Sequence, residues 1–274
     1  MAAALFLLIG GGLLVSTFLL REPPTPPQHE PRQRERAAAV TPVTPPPAPE
    51  KKKPLPRLAI VIDDVGVSKA PIKKLLALRM PLTFAILPRQ RYSTELANVI
   101  NEAGYEVIIH IPMEPEDING NNPGKGALLL AQSDDTIRKE IKTMIREMPH
   151  AVGTSNHMGS RFTKDYDKMH TVLEEIKNSG LYFLDSRTTA DSVAFKLAQQ
   201  MGVKSSSRRI FIDNKLDTQA IKNELRRAIR YALSQGEAIA IGHPHKQTIA
   251  ALAEMKEAME NAGIELVPAS SLAR

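Results

Sequence analysis

Leu58-Ala-Ile-Val-Ile-Asp-Asp-Val-Gly66 is the stretch that decides the fold. An apolar run leads directly into two adjacent carboxylates and a glycine, the pattern of a buried strand that ends at a site. An acid can cap a nearby helix, but a cap needs only one. Ser68 stands better placed to start the helix expected over Ser68–Leu78. Two like charges side by side repel, and they invite a cation or a proton between them. Asp63 and Asp64 therefore mark a functional position rather than a structural one.

Outward from this segment, short apolar runs alternate with longer helical patterns. Leu58–Ile62, Leu82–Ile86, Glu106–Ile109, Leu181–Leu184, Ile210–Ile212, Ala238–Ile241 and Ile264–Val267 read as strands. Helices are expected over Ser93–Ala103, Asp134–Glu147, Asp165–Asn178, Ala190–Gln200, Thr218–Ser234 and Lys246–Asn261. Gly104, Gly180, Gly202, Gly236 and Gly263 fall between a helix and the next strand, where a left-handed residue ends a helix most easily. Such alternation implies parallel strands joined by right-handed crossovers. The expected fold is α/β, a closed or partly closed, distorted (β/α) barrel of roughly seven strands. The alternative, a doubly wound sheet, lacks a glycine-rich phosphate fingerprint. Asp63, Asp64, His110, Asp185 and His243 all lie at or just beyond strand C-termini. In a barrel those ends share one face, so distant stretches converge on one pocket.

The first part of the chain is different in character. Ala2 to Leu20 is an uncharged apolar run of about nineteen residues, near the ~20 needed to span a bilayer as a helix. No Lys or Arg precedes it, and Ser16 to Arg21 offers a poor cleavage site, so an uncleaved signal anchor is preferred over a removed leader. Glu22 to Pro56 is rich in Pro and polar residues and reads as an extended tether. The expected organisation is an anchor at 1–21, a linker at 22–56 and one domain at 57–274, held away from the membrane. The 274 residues carry a net charge of +6 and a pI of about 9.4. The basic residues are dispersed, aromatics make up only 4%, and there is no Trp, so nucleic acid is not the expected partner. With no Cys, thiolate metal sites and disulfides are excluded.

His110-Ile-Pro-Met-Glu-Pro115 follows one strand, with His110 and Glu114 on a proline-stiffened loop. Asn156-His-Met-Gly-Ser-Arg161 adds a second imidazole, and Gly242-His-Pro-His245 adds two more. His29 lies in the tether, while His150 and His170 read as surface residues. An Asp with two neutral imidazoles is a suitable catalytic setting for zinc or another divalent ion.

Val61-Ile-Asp-Asp-Val-Gly66, His110-Ile-Pro-Met-Glu-Pro115, Asn156-His-Met-Gly-Ser160, Phe183-Leu-Asp-Ser-Arg-Thr188 and Ile241-Gly-His-Pro-His245 together resemble the divergent polysaccharide deacetylase family. The resemblance covers Arg57 to the C-terminus. It implies a metal-dependent hydrolase that removes acetyl groups from an envelope glycan such as peptidoglycan. On that likeness Asp63 is the general base, Asp64 and His110 are metal ligands, and His243 protonates the leaving group. The ion, zinc or alternatively manganese, cobalt or magnesium, would polarise the acetyl carbonyl and acidify water.

Glu114 stands where typical deacetylases carry the second His of the metal motif. His157 is the preferred replacement ligand, with Glu114 as its hydrogen-bonding neighbour; Glu114 as a ligand is the alternative. Asp185 is expected to orient an imidazole, paired with Arg187 or Arg161, and Asn156 and His245 complete the substrate surroundings. The altered ligand set also admits another class, a glycan-binding or assembly factor for cell-wall enzymes. A phosphoesterase using the same side chains is a third reading.

Overall fold

The computed structural model describes residues 54–274. The expected anchor and nearly all of the tether lie outside these residues. Among the described residues, no helix is long and apolar enough to cross a membrane.

The elements run β1 (Arg57–Val65), α1 (Lys69–Ala77), β2 (Leu82–Ile86), α2 (Ser93–Glu102), β3 (Glu106–Met113), α3 (Asp134–Glu147), β4 (Gly153–Met158), α4 (Tyr166–Asn178) and β5 (Tyr182–Asp185). They continue with α5 (Ala194–Gln200), β6 (Ser205–Ser207), β7 (Ile210–Phe211), α6 (Thr218–Gln235), β8 (Glu237–Gly242), α7 (Lys246–Glu260) and β9 (Glu265–Leu266). Every pairing is parallel. The order is β6-β5-β4-β3-β2-β1-β8-β7, with β9 beside the start of β1. The two ends of this path, β6 and β7, are consecutive in the chain and linked only by Arg208 and Arg209. The sheet is thus a half-barrel of parallel strands that curls around and stops short of closing, leaving a seam between β6 and β7.

Two strands depart from the expectation. β4 is Gly-Thr-Ser-Asn-His-Met and β6 is Ser-Ser-Ser, and neither carries the apolar run that announces a buried strand. Thr154, Ser155, Asn156, Ser205 and Ser206 are buried all the same. Gly153 is dictated by packing, since a Cβ there would lie 2.4 Å from the Tyr182 ring. The helix positions follow the sequence pattern closely, and the glycines after α2, α4, α5, α6 and α7 all have positive φ.

Strand alternation divides the core into two. Leu58, Ile60 and Ile62 of β1 face the helices with Phe84, Ile109 and Ile241's neighbour Ala240, in one cluster. Ala59 and Val61 face inward with Ile108, Leu184, Ile239 and Ile241, and the segment after β9 plugs the barrel floor with Val267, Ala269 and Leu272. At that floor Glu106 accepts from Thr83, Tyr182 and the Ser270 amide. The floor is closed by these contacts, so the cavity that matters opens at the other end.

Candidate active site

The inward alternation continues past the apolar layer into chemistry. Ala59 and Val61 lead to Asp63, Ile108 leads to His110, and Ile239 and Ile241 lead to His243. These residues, with Asp64, His157 and Asn156, line a cavity of about 260 Å³ at the C-terminal ends of the strands.

Alternation alone would send Asp64 away from Asp63. Instead the β1–β2 register shifts between Ile62 and Val65, and Asp64 sits at φ 57, in the left-handed region. The irregularity aims both carboxylates at one cavity. A non-glycine residue held there costs roughly 1 kcal/mol or more, and such strain gathers at functional sites. Neither acid caps α1; Ser68 occupies the N-cap position, although its hydroxyl makes no capping bond.

Asp64 Oδ1 lies 3.4 Å from His110 Nε2 and 2.8 Å from His157 Nδ1. The contact with His157 is close but not aligned as a hydrogen bond, and Asp64 Oδ1, like Asp63 Oδ1, is buried without a hydrogen-bond partner among the described residues. Orphaned buried carboxylate oxygens are costly. Donors about 2 Å from a tetrahedral ion sit roughly 3.3 Å from one another. Asp64 Oδ1 is at that distance from His110 Nε2 and somewhat nearer His157 Nδ1, and the donor atoms of the trio all lie within 4.8 Å of one another. This trio therefore fits a divalent cation. His110 Nδ1 is engaged at 2.7 Å by Ser155 Oγ, its register partner on β4. That contact leaves Nε2 facing the cavity, the outer support that metal-binding imidazoles require.

Burial and the neighbouring charges set the protonation states. Asp63 is pushed above the usual carboxylate range by burial, which outweighs the pull of His110 and His243. Burial would also raise Asp64, but the imidazoles of His110 and His157 prevail and hold it well below that range. Two acids side by side are thus driven apart, Asp63 made the more basic of the pair and Asp64 held firmly ionised.

His243 has its own support. Burial lowers its pKa, yet the Asp213 hydrogen bond and charge, reinforced by Asp63 and Asp64, push it up to about 9. Asp213 Oδ1 lies 3.0 Å from His243 Nδ1, and Oδ2 accepts from the His243 amide at 2.6 Å and from Thr248 Oγ1 at 2.8 Å. His243 Nε2 is left 3.8 Å from Asp64 Oδ2, and the Phe211 ring stacks on the imidazole at 5.9 Å. His245 also lies near Asp213 and His243. Both Asp213 oxygens are already committed, however, and His245 is exposed, so this group orients His243 rather than offering a second ion site.

Two sequence expectations are corrected here. Asp185 does not orient an imidazole: it follows Leu184, an inward residue, and so points outward. Its oxygens accept from the Arg187 amide, Ser192 Oγ and the Phe195 amide, fastening the loop to α5. Neither Arg187 nor Arg161 forms an ion pair with it. Arg187 donates its guanidinium to the Ala190 carbonyl. Arg161 is exposed and binds Glu114 Oε1 at 2.7 Å. The other Glu114 oxygen accepts from the Leu130 amide, so Glu114 pins two loops together instead of lining the cavity. Asn156 also holds the frame, accepting from the Ser186 amide and donating to the Met158 carbonyl.

Asp213 was missed by sequence reading. It was visible as an acid just past the Ile210–Ile212 strand, the same signal that singled out Asp63.

Residues 60–273 match the family described as divergent polysaccharide deacetylase. The uncharacterized protein YibQ of Escherichia coli K12 is 37% identical over 216 residues, 79% of this chain and 67% of the relative. A Haemophilus influenzae protein is 36% identical over 196 residues, covering 72% and 69%. Among solved structures, an uncharacterized Agrobacterium tumefaciens protein superposes with a TM-score of 0.74 at 24% identity, covering 82% of this chain and 92% of that one. A CE4 family pseudoenzyme from Bacillus anthracis gives a TM-score of 0.52 at 14% identity, covering 80% and 65%, a likeness of fold. By the extent of its sequence match, the chain belongs to the divergent polysaccharide deacetylase family.

Proposed function

We propose that this protein is a metal-dependent hydrolase that removes acetyl groups from an envelope polysaccharide of the peptidoglycan kind. The observation that carries the reading is the convergence of Asp63, Asp64, His110, His157 and His243 on one cavity, with buried carboxylate oxygens lacking partners. Asp64, His110 and His157 would hold a divalent ion, zinc being favoured by the mixed nitrogen and oxygen donors. When bound, that ion supplies Lewis-acid polarisation of the acetyl group and of water.

The chain's own residues do the rest. Asp63, buried beside the ion-binding trio, accepts the proton of the attacking water as general base. His243, kept protonated at neutral pH by Asp213, donates to the departing amine or sugar oxygen. Phe211 stacks beside the His243 ring, with centroids 5.9 Å apart, and helps to position it. The apolar run Ala2 to Leu20 supports an inner-membrane anchor with this domain on the extracytoplasmic side.

Acetate release from peptidoglycan and from N-acetylglucosamine oligomers, measured by mass spectrometry, tests the proposal. Release by the wild type and its loss in folded Asp63→Asn and His243→Ala proteins are the expected results. No release by any of them, with glycan binding intact, would replace the proposal with a binding or assembly role.

A further inference from the structure

The seam between β6 and β7 holds a feature that the acetyl-removing reading does not use. A cavity of about 540 Å³ lies along it, bordered by Ser205, Ser206, Arg187, Arg208, Arg209 and Arg274. Its size suits a sugar-sized ligand. Its charge is lopsided. The carboxylate on its wall, Glu237, is already shared by Arg57 and Arg274. Among the described residues, Arg187, Arg208 and Arg209 form no ion pair.

These guanidiniums are positioned by other means. Arg208 donates to the carbonyls of Ser186 and Arg187 and lies 4.0 Å over the Phe211 ring. Arg209 lies 4.3 Å over Tyr231. Stacked arginines are stiffened forks, the geometry that matches a carboxylate or phosphate. A second cavity, about 500 Å³, also borders Arg208 and Arg209 and adds Lys215 to the positive field, while its Arg227 is paired with Glu224.

Ser205 and Ser206 of β6 border the same cavity. They are 2% and 6% exposed, and neither hydroxyl has a partner among the described residues. A buried hydroxyl left unpaired costs about 1–3 kcal/mol. Guanidiniums that no carboxylate neutralises, gathered around one cavity beside these serines, make a donor set for an oxyanion.

We propose that the seam cavity is an anion-binding site, which takes a sugar-sized ligand through a carboxylate or phosphate group. The site is separate from the Asp64, His110 and His157 trio and stands whether or not the domain removes acetyl groups.

Isothermal titration of metal-free, full-length protein at fixed ionic strength, with inorganic phosphate and separately with glucuronate, tests it. Saturable one-to-one binding of at least one of them is expected. It should weaken at least tenfold when Arg209→Gln is combined with Ser206→Ala, and stay within twofold of wild type in Asp64→Asn. Phosphate alone or glucuronate alone binding identifies the group recognised. Amide shifts in the wild-type protein keep the test independent of variant folding: shifts centred on residues 205–209 support the site. Shifts centred on Asp64 and His110, no saturable binding of either anion, or binding that survives the double substitution overturns it.

Discussion

Replacing Asp213 by Asn tests the electrostatic core of the site. The substitution keeps the shape and one acceptor but removes the charge that faces His243 Nδ1 at 3.0 Å. His243 is raised from 6.5 to about 9, a difference of about 2.5 units, or about 3 kcal/mol at 1.36 kcal/mol per unit. A folded pKa above the unfolded one contributes stability that is fully present below pH 6.5 and is lost as pH rises through about 9. The ion-free wild type should therefore lose about 3 kcal/mol of unfolding free energy across that window. Asp213→Asn should be nearly flat there, because the burial that lowers the His243 pKa remains while its main opponent is gone. Carbon-labelled histidine NMR would follow His243 directly, with its midpoint falling to 6.5 or below. In turnover at pH 7.5 the variant has less acid available and a poorly oriented ring, so kcat should fall by roughly 10²-fold or more, with KM little changed. An unmoved His243 midpoint, or an unchanged pH slope of stability, would refute the reasoning.

Ser155→Ala removes the support behind His110 and should weaken zinc binding by roughly 10–100-fold in a chelator competition, with the fold intact. Glu114→Ala should leave zinc affinity within twofold but destabilise the loops it joins by about 1–3 kcal/mol in denaturant melts, because Leu130 and Arg161 lose their acceptor; a large loss of zinc affinity would restore Glu114 as a ligand. Gly242→Ala places a Cβ 2.7 Å from Ile212 Cγ1 and 3.2 Å from Asp213 Oδ2. It should cost about 1–3 kcal/mol in stability and also lower the His243 midpoint, which the same NMR titration reads.

Much of this architecture was legible in the chain. Apolar runs, helical periodicity and terminal glycines located most of the strands and all of the helices, because local pattern and burial agree there. The period of two along β1, β3 and β8 also implies that Asp63, His110 and His243 share a face, since each continues an inward row. The same rule, applied to β5, shows why Asp185 belongs to the loop and Asp213 to the imidazole: parity separates them, and proximity to a strand end does not.

Other features needed the folded molecule. β4 and β6 carry no apolar signature: Thr154, Ser155 and Asn156 find polar partners on other strands and loops, while the Ser205 and Ser206 hydroxyls are buried without one among the described residues. The inward turn of Asp64 depends on a register shift and a left-handed backbone that no spacing rule announces. His157 reaches the trio because β4 pairs in register with β3, and the seam exists because β6 and β7 end the sheet without bonding to each other. Sequence patterns report which residues leave water; pairing register and backbone strain decide which of them then meet.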